Sequence, residues 1–299
     1  MTAKSAQLPW QHLLLAVAVA AVWGSNFVVI KVALAHLPPL LFATLRFTLA
    51  FLPAALFLRR PAVPWWQLAA YGILIGAGQF GVLYIAMEHS ISPGLASLVV
   101  QTQVFFTIGL AMAFTGERVR LLQWLALVLA GAGLVLIVVH RGGDVTPLGL
   151  VLVLFAALCW AGGNLIAKSA GTVNMLAYVV WSSFFAIPPL LLLSVWFEGM
   201  PAIESGLQNA DAVTWAAVLY QSLGNTMFGY GSWAWLLARH PAALVSPFSL
   251  LVPVFGMSAS AVLMNEPLQS WKLLAAALVL SGLLLNLLWP RLQAAMAGR

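Results

Sequence analysis

The chain is a succession of long, uncharged apolar segments separated by short polar breaks, a pattern typical of integral membrane proteins. A membrane-spanning helix takes about 20 residues, and the segments match that length. The predicted helices cover residues 11–35, 38–58, 66–87, 92–114, 121–139, 147–169, 174–197, 212–237, 241–263 and 271–289. We therefore predict an all-α integral membrane protein with ten transmembrane helices.

The breaks between the segments carry residues that end helices, mainly proline, glycine and charged side chains. They lie at Pro38-Pro39, Arg59-Arg60-Pro61, Ser92-Pro93, Gly116-Glu117-Arg118, Arg141-Gly142-Gly143-Asp144, His240-Pro241 and Glu266-Pro267. The stretch 198–211 is the only long connection that the pattern predicts.

Polar positions inside the apolar segments recur along the chain. The stretch WGSNFVVIK, from Trp23 to Lys31, returns as WAGGNLIAK, from Trp160 to Lys168, at an offset of 137 residues. Other matches keep the same order: Pro53 with Pro188, Phe80-Gly81 with Phe228-Gly229, Pro93 with Pro241, Glu117 with Glu266, and Gly133 with Gly282. These matches predict a duplication, with residues 1–141 and 142–299 as two repeats of one transmembrane unit. Because each repeat holds an odd number of helices, the second must cross the membrane inverted, with a site near the midplane.

Charge supports a topology and excludes some partners. The chain is 63% hydrophobic and 7% charged, with a mean hydropathy of +1.01 and a net charge of +6. With the N-terminus inside, nine Lys and Arg side chains fall at inner helix ends, and only Arg141 and Lys272 fall in outer loops. Basic residues mark the cytoplasmic side, so both termini are predicted to be cytoplasmic. The bases form no long run, which argues against a nucleic-acid partner.

The sequence contains no recognisable enzyme motif. It lacks a phosphate-binding loop, paired metal ligands and a Ser-His-Asp set in recognisable context, so we expect no catalysis, no cofactor and no metal. The five histidines lie near predicted helix ends, and a single cysteine, Cys159, allows no internal disulfide. The N-terminal run resembles a signal peptide, but its apolar pattern continues into the repeated stretch 23–31, which favours a retained helix.

Several motifs resemble a known transporter family. The opening WGSNFVVIK, the LRF at 45–47, the GER at 116–118 with NEP at 265–267, and the duplication resemble the drug/metabolite transporter superfamily, EamA type. The resemblance covers nearly the whole chain and is strongest to bacterial exporters of aromatic and other neutral amino acids. It implies a ten-helix inner-membrane exporter that works by alternating access between inverted halves.

The candidate substrate site consists of amides, serines and deep aromatic side chains, because polar groups inside a membrane are costly and aromatic rings suit apolar or aromatic ligands. On a regular helix Gln221, Asn225 and Ser232 share one face, and Asn26 and Asn164 are predicted to face each other at the midplane. Helix packing remains the alternative role for each residue. The predicted substrate-binding residues are Trp23, Asn26, Gln79, Tyr84, Gln101, Gln103, Trp160, Asn164, Tyr178, Trp181, Gln221, Asn225, Ser246 and Ser249.

A second set of residues is predicted to act as gates or hinges. Lys31 and Arg46 lie near predicted outer helix ends, where they either extend toward the membrane surface or contact a gate or a carboxylate. Arg46 aligns with Trp181 at the offset of 135, which predicts an asymmetric pocket. The prolines allow helices to bend between states or impose fixed kinks. The full set is Lys31, Arg46, Pro53, Pro188, Pro247 and Pro253.

These patterns predict a monomeric exporter of neutral amino acids, including aromatic ones, in the bacterial inner membrane, with the lipid bilayer as its surroundings. Every acidic residue lies in or near a loop, Glu88 being the deepest, so we expect transport without ion coupling. The alternatives are export of drugs or of anionic or nucleotide-linked metabolites, proton-coupled exchange through Glu88, and a membrane receptor without transport.

Overall fold

A computed structural model describes residues 8–115, 121–140, 144–240 and 242–297. Within these ranges the backbone forms eleven continuous helical runs and no β-strand; Ile91 and Val145 pair in an isolated β-bridge. The runs are α1 (Trp10–Ala33), α2 (Pro39–Ala55), α3 (Trp65–His89), α4 (Pro93–Val99, Val100–Thr102 and Gln103–Thr115), α5 (Leu121–Val139), α6 (Pro147–Ser169), α7 (Met175–Glu198), α8 (Met200–Asn209), α9 (Ala212–Leu219, Tyr220–Tyr230 and Gly231–Arg239), α10 (Ala242–Val245, Ser246–Leu250 and Leu251–Leu263) and α11 (Ser270–Ala297).

Proline and short polar side chains begin these helices. Pro39, Pro93 and Pro147 occupy the first turns of α2, α4 and α6, where the missing N–H of proline is not needed. At the start of α9, the Asp211 carboxylate accepts a 2.8 Å hydrogen bond from the backbone N–H of Thr214. Such a cap satisfies one of the N–H groups that a helix start leaves free.

Six of the runs contain helices long and apolar enough to cross a membrane. They are α1, α3, residues Pro93–Leu110 of α4, α6, α7 and residues Ser246–Leu263 of α10. Shorter apolar helices occupy α2 and parts of α5 and α11. Large apolar side chains are also exposed on the outside, with Phe57 and Trp196 each 84% exposed. An apolar exterior of this kind is stable in lipid and not in water, so the chain is a multi-pass membrane protein.

Five of the described helices contain stretches that depart from regular α-helix. Residues Leu74–Gly81 of α3 and Tyr220–Tyr230 of α9 are π-helical, as is a shorter stretch at the end of α7, Ser194–Glu198. Residues Val100–Thr102 of α4 and Ser246–Leu250 of α10 are 3₁₀-helical. π-Helical turns are rare and are frequent at functional sites, so α3 and α9 mark the region where a site is expected.

Helices from the two predicted repeats pack against each other throughout. α5 packs along α11, α1 along α10, and α2 along α7. α6 packs against both α3 and α4, whereas α1 also packs against α9. α2, α3, α7 and α9 surround the interior of the bundle, with α2 contacting the π-helical stretch of α9. Polar side chains on these helices can therefore meet far from lipid.

Nine of the ten sequence-based helices agree with the structure at their boundaries to within a few residues, whereas the last, predicted over 271–289, extends over Ser270–Ala297. Two further corrections are needed. The stretch 198–211 is not a simple connection, because it contains α8, which follows Gly199 at a positive φ of 80°. Lys272 is not in an outer loop: it lies in the first turn of α11 and is fully buried. The predicted breaks at 116–118 and 141–143, and Pro241, lie outside the described residues.

Candidate functional site

Three buried polar side chains form a hydrogen-bonded chain in the interior of the bundle. The Arg46 Nη1 atom on α2 donates to the Tyr84 hydroxyl on α3 at 3.0 Å, and that hydroxyl donates to Gln221 Oε1 on α9 at 3.3 Å. The backbone carbonyl of Arg46 also accepts a 3.0 Å hydrogen bond from the Ser222 hydroxyl. Arg46, Tyr84 and Gln221 are each at most 1% exposed. We call these three residues the Arg46 cluster.

The guanidinium group of Arg46 lies among aromatic rings. Its central carbon is 3.6 Å from the centroid of the Phe80 ring and 4.9 Å from that of Phe47. Phe42 stacks on Tyr84 at a centroid distance of 4.7 Å. A cation over an aromatic face is stabilised by the ring quadrupole. This stabilisation explains in part how a group that cannot lose its proton is tolerated in the interior.

Two donors of the Arg46 cluster have no hydrogen-bond partner in the part of the chain that the structure describes. They are Arg46 Nε and Gln221 Nε2, both fully buried. Among the described residues no carboxylate lies within ion-pair distance of Arg46. A position near an outer helix end was predicted for Arg46, but it is the eighth residue of α2 and 1% exposed. Extension toward the membrane surface is therefore wrong for this side chain.

A group of aromatic side chains lies beside the same π-helical stretch of α9. The indole N–H of Trp23 on α1 donates a 3.2 Å hydrogen bond to the backbone carbonyl of Asn225, which is four residues from Gln221. The Trp23 ring lies 5.5 Å from Tyr230 and 5.3 Å from Trp233. The interior of the bundle therefore combines one buried cation with a neighbouring aromatic group.

Three side-chain amide oxygens are buried and have no hydrogen-bond partner among the described residues. They are Asn26 Oδ1 on α1 and, on α3, Gln67 Oε1 and Gln79 Oε1. Gln79 is in the π-helical stretch of α3, directly before Phe80. Unpaired amide oxygens in the interior are suited to accept hydrogen bonds from an ammonium or hydroxyl group.

The chain belongs to a transporter family. The sequence model of the EamA-like transporter family matches it twice, over residues 10–139 and 147–288. This chain is an EamA-like transporter. It is 40% identical over 285 residues to a protein of Salmonella typhimurium named a probable amino-acid metabolite efflux pump. The aligned region covers 93% of this chain and 95% of the Salmonella protein. A protein of the same name from Escherichia coli K12 is 38% identical over 91% of this chain and 93% of its own length.

The fold is also shared with a solved crystal structure. That structure is 19% identical in sequence, superposes with a TM-score of 0.64, and covers 95% of this chain and 99% of the other. At this identity the likeness concerns the fold alone. Membership of the family makes this EamA-like transporter a membrane transport protein and not an enzyme. Among the described residues, no three His, Cys, Asp or Glu side chains group in a way that would hold a metal ion.

Other predicted site amides of this EamA-like transporter bond neighbouring helices. Asn164 on α6 donates to Gln103 Oε1 on α4 at 2.9 Å. Gln101 donates to the backbone carbonyl of Ser249 on α10 at 3.3 Å, and the Ser249 hydroxyl donates to the carbonyl of Ser246. Gln101 as a donor and Gln103 as an acceptor therefore each bond a neighbouring helix. Asn164 is bonded and half-buried, whereas Asn26 has a buried, unpaired oxygen.

The remaining predicted aromatic residues lie away from the Arg46 cluster or pack in the core. The Trp181 indole donates to the backbone carbonyl of Leu58, beyond the end of α2. The Tyr178 hydroxyl donates to the carbonyl of Gln67, and Trp160 is half-buried against the core. Arg46 and Trp181, aligned in the sequence, thus have different surroundings.

The predicted gate and hinge residues have varied settings. Lys31 Nζ donates to the backbone carbonyls of Met87 and Glu88 at 3.0 and 2.6 Å, so it satisfies the last turn of α3. Pro53 and Pro188 lie inside α2 and α7 with exposed side chains. Pro247 lies in the 3₁₀ stretch of α10, and Pro253 is buried in the following α-helix.

An open cavity of about 790 Å³ lies at one end of the bundle, between the α1–α2 connection, the ends of α3 and α7, and α8. Glu198 lines it and binds the start of α2: its carboxylate oxygens accept from the backbone N–H groups of Leu40 and Leu41 at 2.5 and 3.1 Å. The sequence pattern placed Glu198 in a loop. It did not predict this contact, because Glu198 and Leu40 are 158 positions apart.

A buried ion cluster joins the ends of three helices and the connection before α6. Lys272 Nζ lies 2.7 Å from Asp144 Oδ2 and 2.9 Å from Glu266 Oε1. Glu266 also accepts hydrogen bonds from the Ser92 hydroxyl at 2.6 Å, from the backbone N–H of Gly94, and from the Ser260 hydroxyl. In the sequence, Glu266 in the NEP motif indicated only a match between the two repeats. The partners of Glu266 could not be read from the motif, because several come from distant segments. The cluster holds α4, α10 and α11 together beside the connection before α6.

Proposed function

We propose that this EamA-like transporter exports neutral amino acids, including aromatic ones, and similar small metabolites across the bacterial inner membrane. The observation that carries the proposal is the Arg46 cluster, which joins α2 and α3 to α9 in the bundle interior. Polar groups there can hold the charged end of an amino acid. The aromatic group around Trp23 can hold its side chain. The names of the Salmonella and Escherichia coli relatives support the same substrate class.

The proposed architecture has ten transmembrane helices in two inverted repeats, residues 1–141 and 142–299. The family model matches the two parts separately. The irregular stretches support the same division. At an offset of 148 residues, the π-helical stretch of α3 falls on that of α9, and the 3₁₀ turn of α4 falls within that of α10.

The close contacts between α5 and α11 come in matched pairs. Such pairs support a two-fold relation between the two proposed repeats. A Cβ atom added to Gly133 would meet Ala275 and Val279, and one added to Gly282 would meet Ala126 and Ala130. Each of these residues is related to its counterpart by the same offset of 149. Inverted repeats related in this way surround a central site in many transporters.

In the proposed mechanism the two repeats rock around the Arg46 cluster, so that it opens alternately to the two sides. Pro53 and Pro188 lie at corresponding positions of α2 and α7 and could let these helices bend. The cavity that Glu198 lines would then be part of the path on one side. The distribution of basic residues supports cytoplasmic termini.

We further propose that export needs no coupling ion. Proton- and sodium-driven carriers usually hold an acidic side chain within the membrane. The described acidic residues of this chain lie at helix ends or between helices, as Glu88, Glu198 and Glu266 do, or on the short helix α8, where Glu204 is exposed. Transport would then follow the gradient of the substrate itself.

The test is transport by purified protein in liposomes loaded with labelled phenylalanine, leucine or alanine, with protein-free liposomes as the control. Efflux that is saturable and needs no proton or sodium gradient is expected. Failure to move any neutral amino acid would reject the proposed function. Movement of a drug or of a nucleotide-linked sugar in the same assay would favour that substrate class instead. A proton flux in fixed ratio to substrate would reject uncoupled export.

A further inference from the structure

The guanidinium group of Arg46 is buried without an acidic partner among the described residues. Its contacts do not fully explain how a charged group is stable there. A buried cation is normally paired with an acid, since removal from water costs far more than a neutral hydrogen bond restores. Arg46 has one neutral partner, Tyr84, and two aromatic contacts. These contacts offset only a part of the desolvation cost.

The unused donors of the Arg46 cluster define what would complete it. Among the described residues, neither Arg46 Nε nor Gln221 Nε2 has a hydrogen-bond partner, and both atoms are buried. Tyr84 connects the two side chains, so both donors belong to one hydrogen-bonded unit. A ligand that fits this unit must supply acceptor atoms and a negative charge and must have no donor of its own at this end.

We propose that the Arg46 cluster binds the carboxylate of the transported substrate, with Arg46 as the charge partner and Gln221 Nε2 as a second donor. A carboxylate is planar, and its two oxygens match the edge of a guanidinium group in a bidentate pair. This inference rests on the proposed function and deepens it. It assigns the acid end of the amino acid to α2, and it demands a carboxylate in every good substrate.

The Arg46 cluster lies between the two predicted repeats, and this position gives it a role in transport. The guanidinium is fixed on α2 of the first predicted repeat, whereas Gln221 is on α9 of the second. The Tyr84–Gln221 and Ser222–Arg46 hydrogen bonds already join the two repeats. A carboxylate that bonds both Arg46 and Gln221 adds a further link that exists only while substrate is bound. Bound substrate thereby lowers the free energy of the state in which Arg46 is shielded from both sides of the membrane. A conformational change driven by substrate requires such a difference in affinity between two states.

The decisive experiment compares ligands that differ only in their charged ends. Liposomes containing the full-length protein are loaded with labelled phenylalanine, and its efflux is measured in competition with unlabelled phenylalanine, phenylalaninamide or 3-phenylpropionate. The amide keeps the ring and the ammonium group but lacks the carboxylate. We expect it to compete about tenfold or more weakly than phenylalanine, the factor that one lost charge-assisted hydrogen bond corresponds to. 3-Phenylpropionate, which keeps the carboxylate, should compete better than the amide.

Substitutions then assign the preference to Arg46. In Arg46→Gln the preference for acid over amide should fall to near unity, and Arg46→Lys, which keeps the charge but loses the planar geometry, should restore part of it. Ser183→Ala removes another buried hydroxyl, which bonds only the Val179 carbonyl one turn earlier in its own helix, α7, and should leave the preference unchanged. A merely structural role of Arg46 would lower transport of every ligand without changing the preference.

The outcomes separate this inference from the proposed function. Equal competition by acid and amide in the wild-type protein would overturn the carboxylate site while leaving amino-acid export intact. An unchanged preference in folded Arg46→Gln would overturn it as well. If the wild-type protein moves no amino acid, the proposed function fails. Carboxylate binding is then decided by melting temperature, which 3-phenylpropionate should raise more than phenylalaninamide does if the site binds a carboxylate. If Arg46→Gln does not fold, the wild-type comparison of acid and amide decides alone.

Discussion

The Arg46 guanidinium on α2 and the Tyr84 hydroxyl on α3 are joined by a 3.0 Å hydrogen bond in a part of the bundle that neither solvent nor lipid reaches. The bond connects the only basic side chain of α2 to the α-helical turn that follows the π-helical stretch of α3. The same hydroxyl extends the contact to Gln221 on α9. Tyr84 therefore holds the cation and the amide in one arrangement.

Replacement of Tyr84 by phenylalanine should separate these two side chains. Tyr84→Phe keeps the ring that stacks on Phe42 but leaves Arg46 Nη1 and Gln221 Oε1 without partners. We expect a loss of about 1–3 kcal/mol in the free energy of unfolding, the cost of unsatisfied buried groups. Unfolding in detergent micelles measures it, together with phenylalanine efflux from liposomes, which should fall.

Ser183→Ala is the matched control for that variant. Its hydroxyl is also buried but bonds only the carbonyl of Val179, one turn earlier in the same helix, at 2.9 Å. It should cost less stability and leave efflux near the wild-type rate. Equal effects of the two substitutions would mean that Tyr84 acts as an ordinary buried hydroxyl and not as part of the site.

Close packing of α5 on α11 should make Gly133 and Gly282 intolerant of even a methyl group. In Gly282→Ala the new Cβ would lie 2.6 Å from the Ala126 carbonyl oxygen, and in Gly133→Ala it would lie 3.0 Å from that of Ala275. Backbone atoms cannot move aside cheaply, so we expect each variant to lose about 1–3 kcal/mol of stability.

Gly131→Ala provides the control on the same helix as Gly133. A Cβ atom there meets nothing within 4 Å. Alanine also favours helix over glycine, so this variant should be neutral or gain up to about 1 kcal/mol. Thermal unfolding of the three variants measures the contrast. A stable Gly282→Ala variant would show that α5 and α11 are not in the close contact described above.

Lys272 should be essential for the ion cluster at the helix ends. Lys272→Met removes the cation between Asp144 and Glu266 and leaves two carboxylates together without compensation. We expect a loss of about 3–5 kcal/mol, as for other broken buried pairs. The exposed Arg239→Met should change the free energy of unfolding by about 0.5 kcal/mol or less. Adding Glu266→Gln to Lys272→Met should recover a part of the loss, and a failure to do so would point to packing as the cause.

Acid should weaken the same cluster at a predictable point. Burial by itself would raise the pKa of Glu266, but hydrogen bonds from Ser260, Ser92 and Lys272 and the charge of Lys272 hold it below the ordinary value of 4.5. A depressed pKa contributes stability above the pKa of the unfolded chain, and that stability is lost as the pH falls through the lower, folded value.

The melting temperature of the wild-type protein should therefore fall as the pH decreases below about 4.5. Glu266→Gln should be less stable than wild type near neutral pH, and the difference between the two proteins should narrow in acid. Melting curves of both proteins between about pH 3 and pH 7 measure this. A constant difference across the range would mean that Glu266 does not carry the acid dependence.

Much of the fold follows from local sequence pattern, as α6 illustrates. Its prediction over 147–169 coincides with the helix Pro147–Ser169, because a proline start and an uninterrupted apolar run determine a helix without reference to other segments. The stretch Met200–Asn209 was missed for the converse reason. It is short and only partly apolar, and Gly206 in it packs on Pro38 of a distant connection.

The candidate site was predictable in its residue types but not in its arrangement. Gln221, Asn225 and Ser232 were assigned to one face on the assumption of regular helical spacing. The π-helical stretch Tyr220–Tyr230 widens the turns and changes which side chains share a direction. Arg46 was assigned to a gate from its distance to a predicted helix end, a criterion that ignores what surrounds the side chain.

The sequence by itself determined the class of the protein, its helices, its duplicated pattern and its family, because hydrophobic segment length and local motifs carry that information. Only the tertiary structure decided which polar side chains meet. Arg46, Tyr84 and Gln221 are separated by 38 and 137 positions, and their contact depends on the rotation and pairing of three helices. In a membrane every helix is apolar on most sides, so hydrophobicity does not fix that rotation. Packing and the pairing of buried polar groups fix it instead.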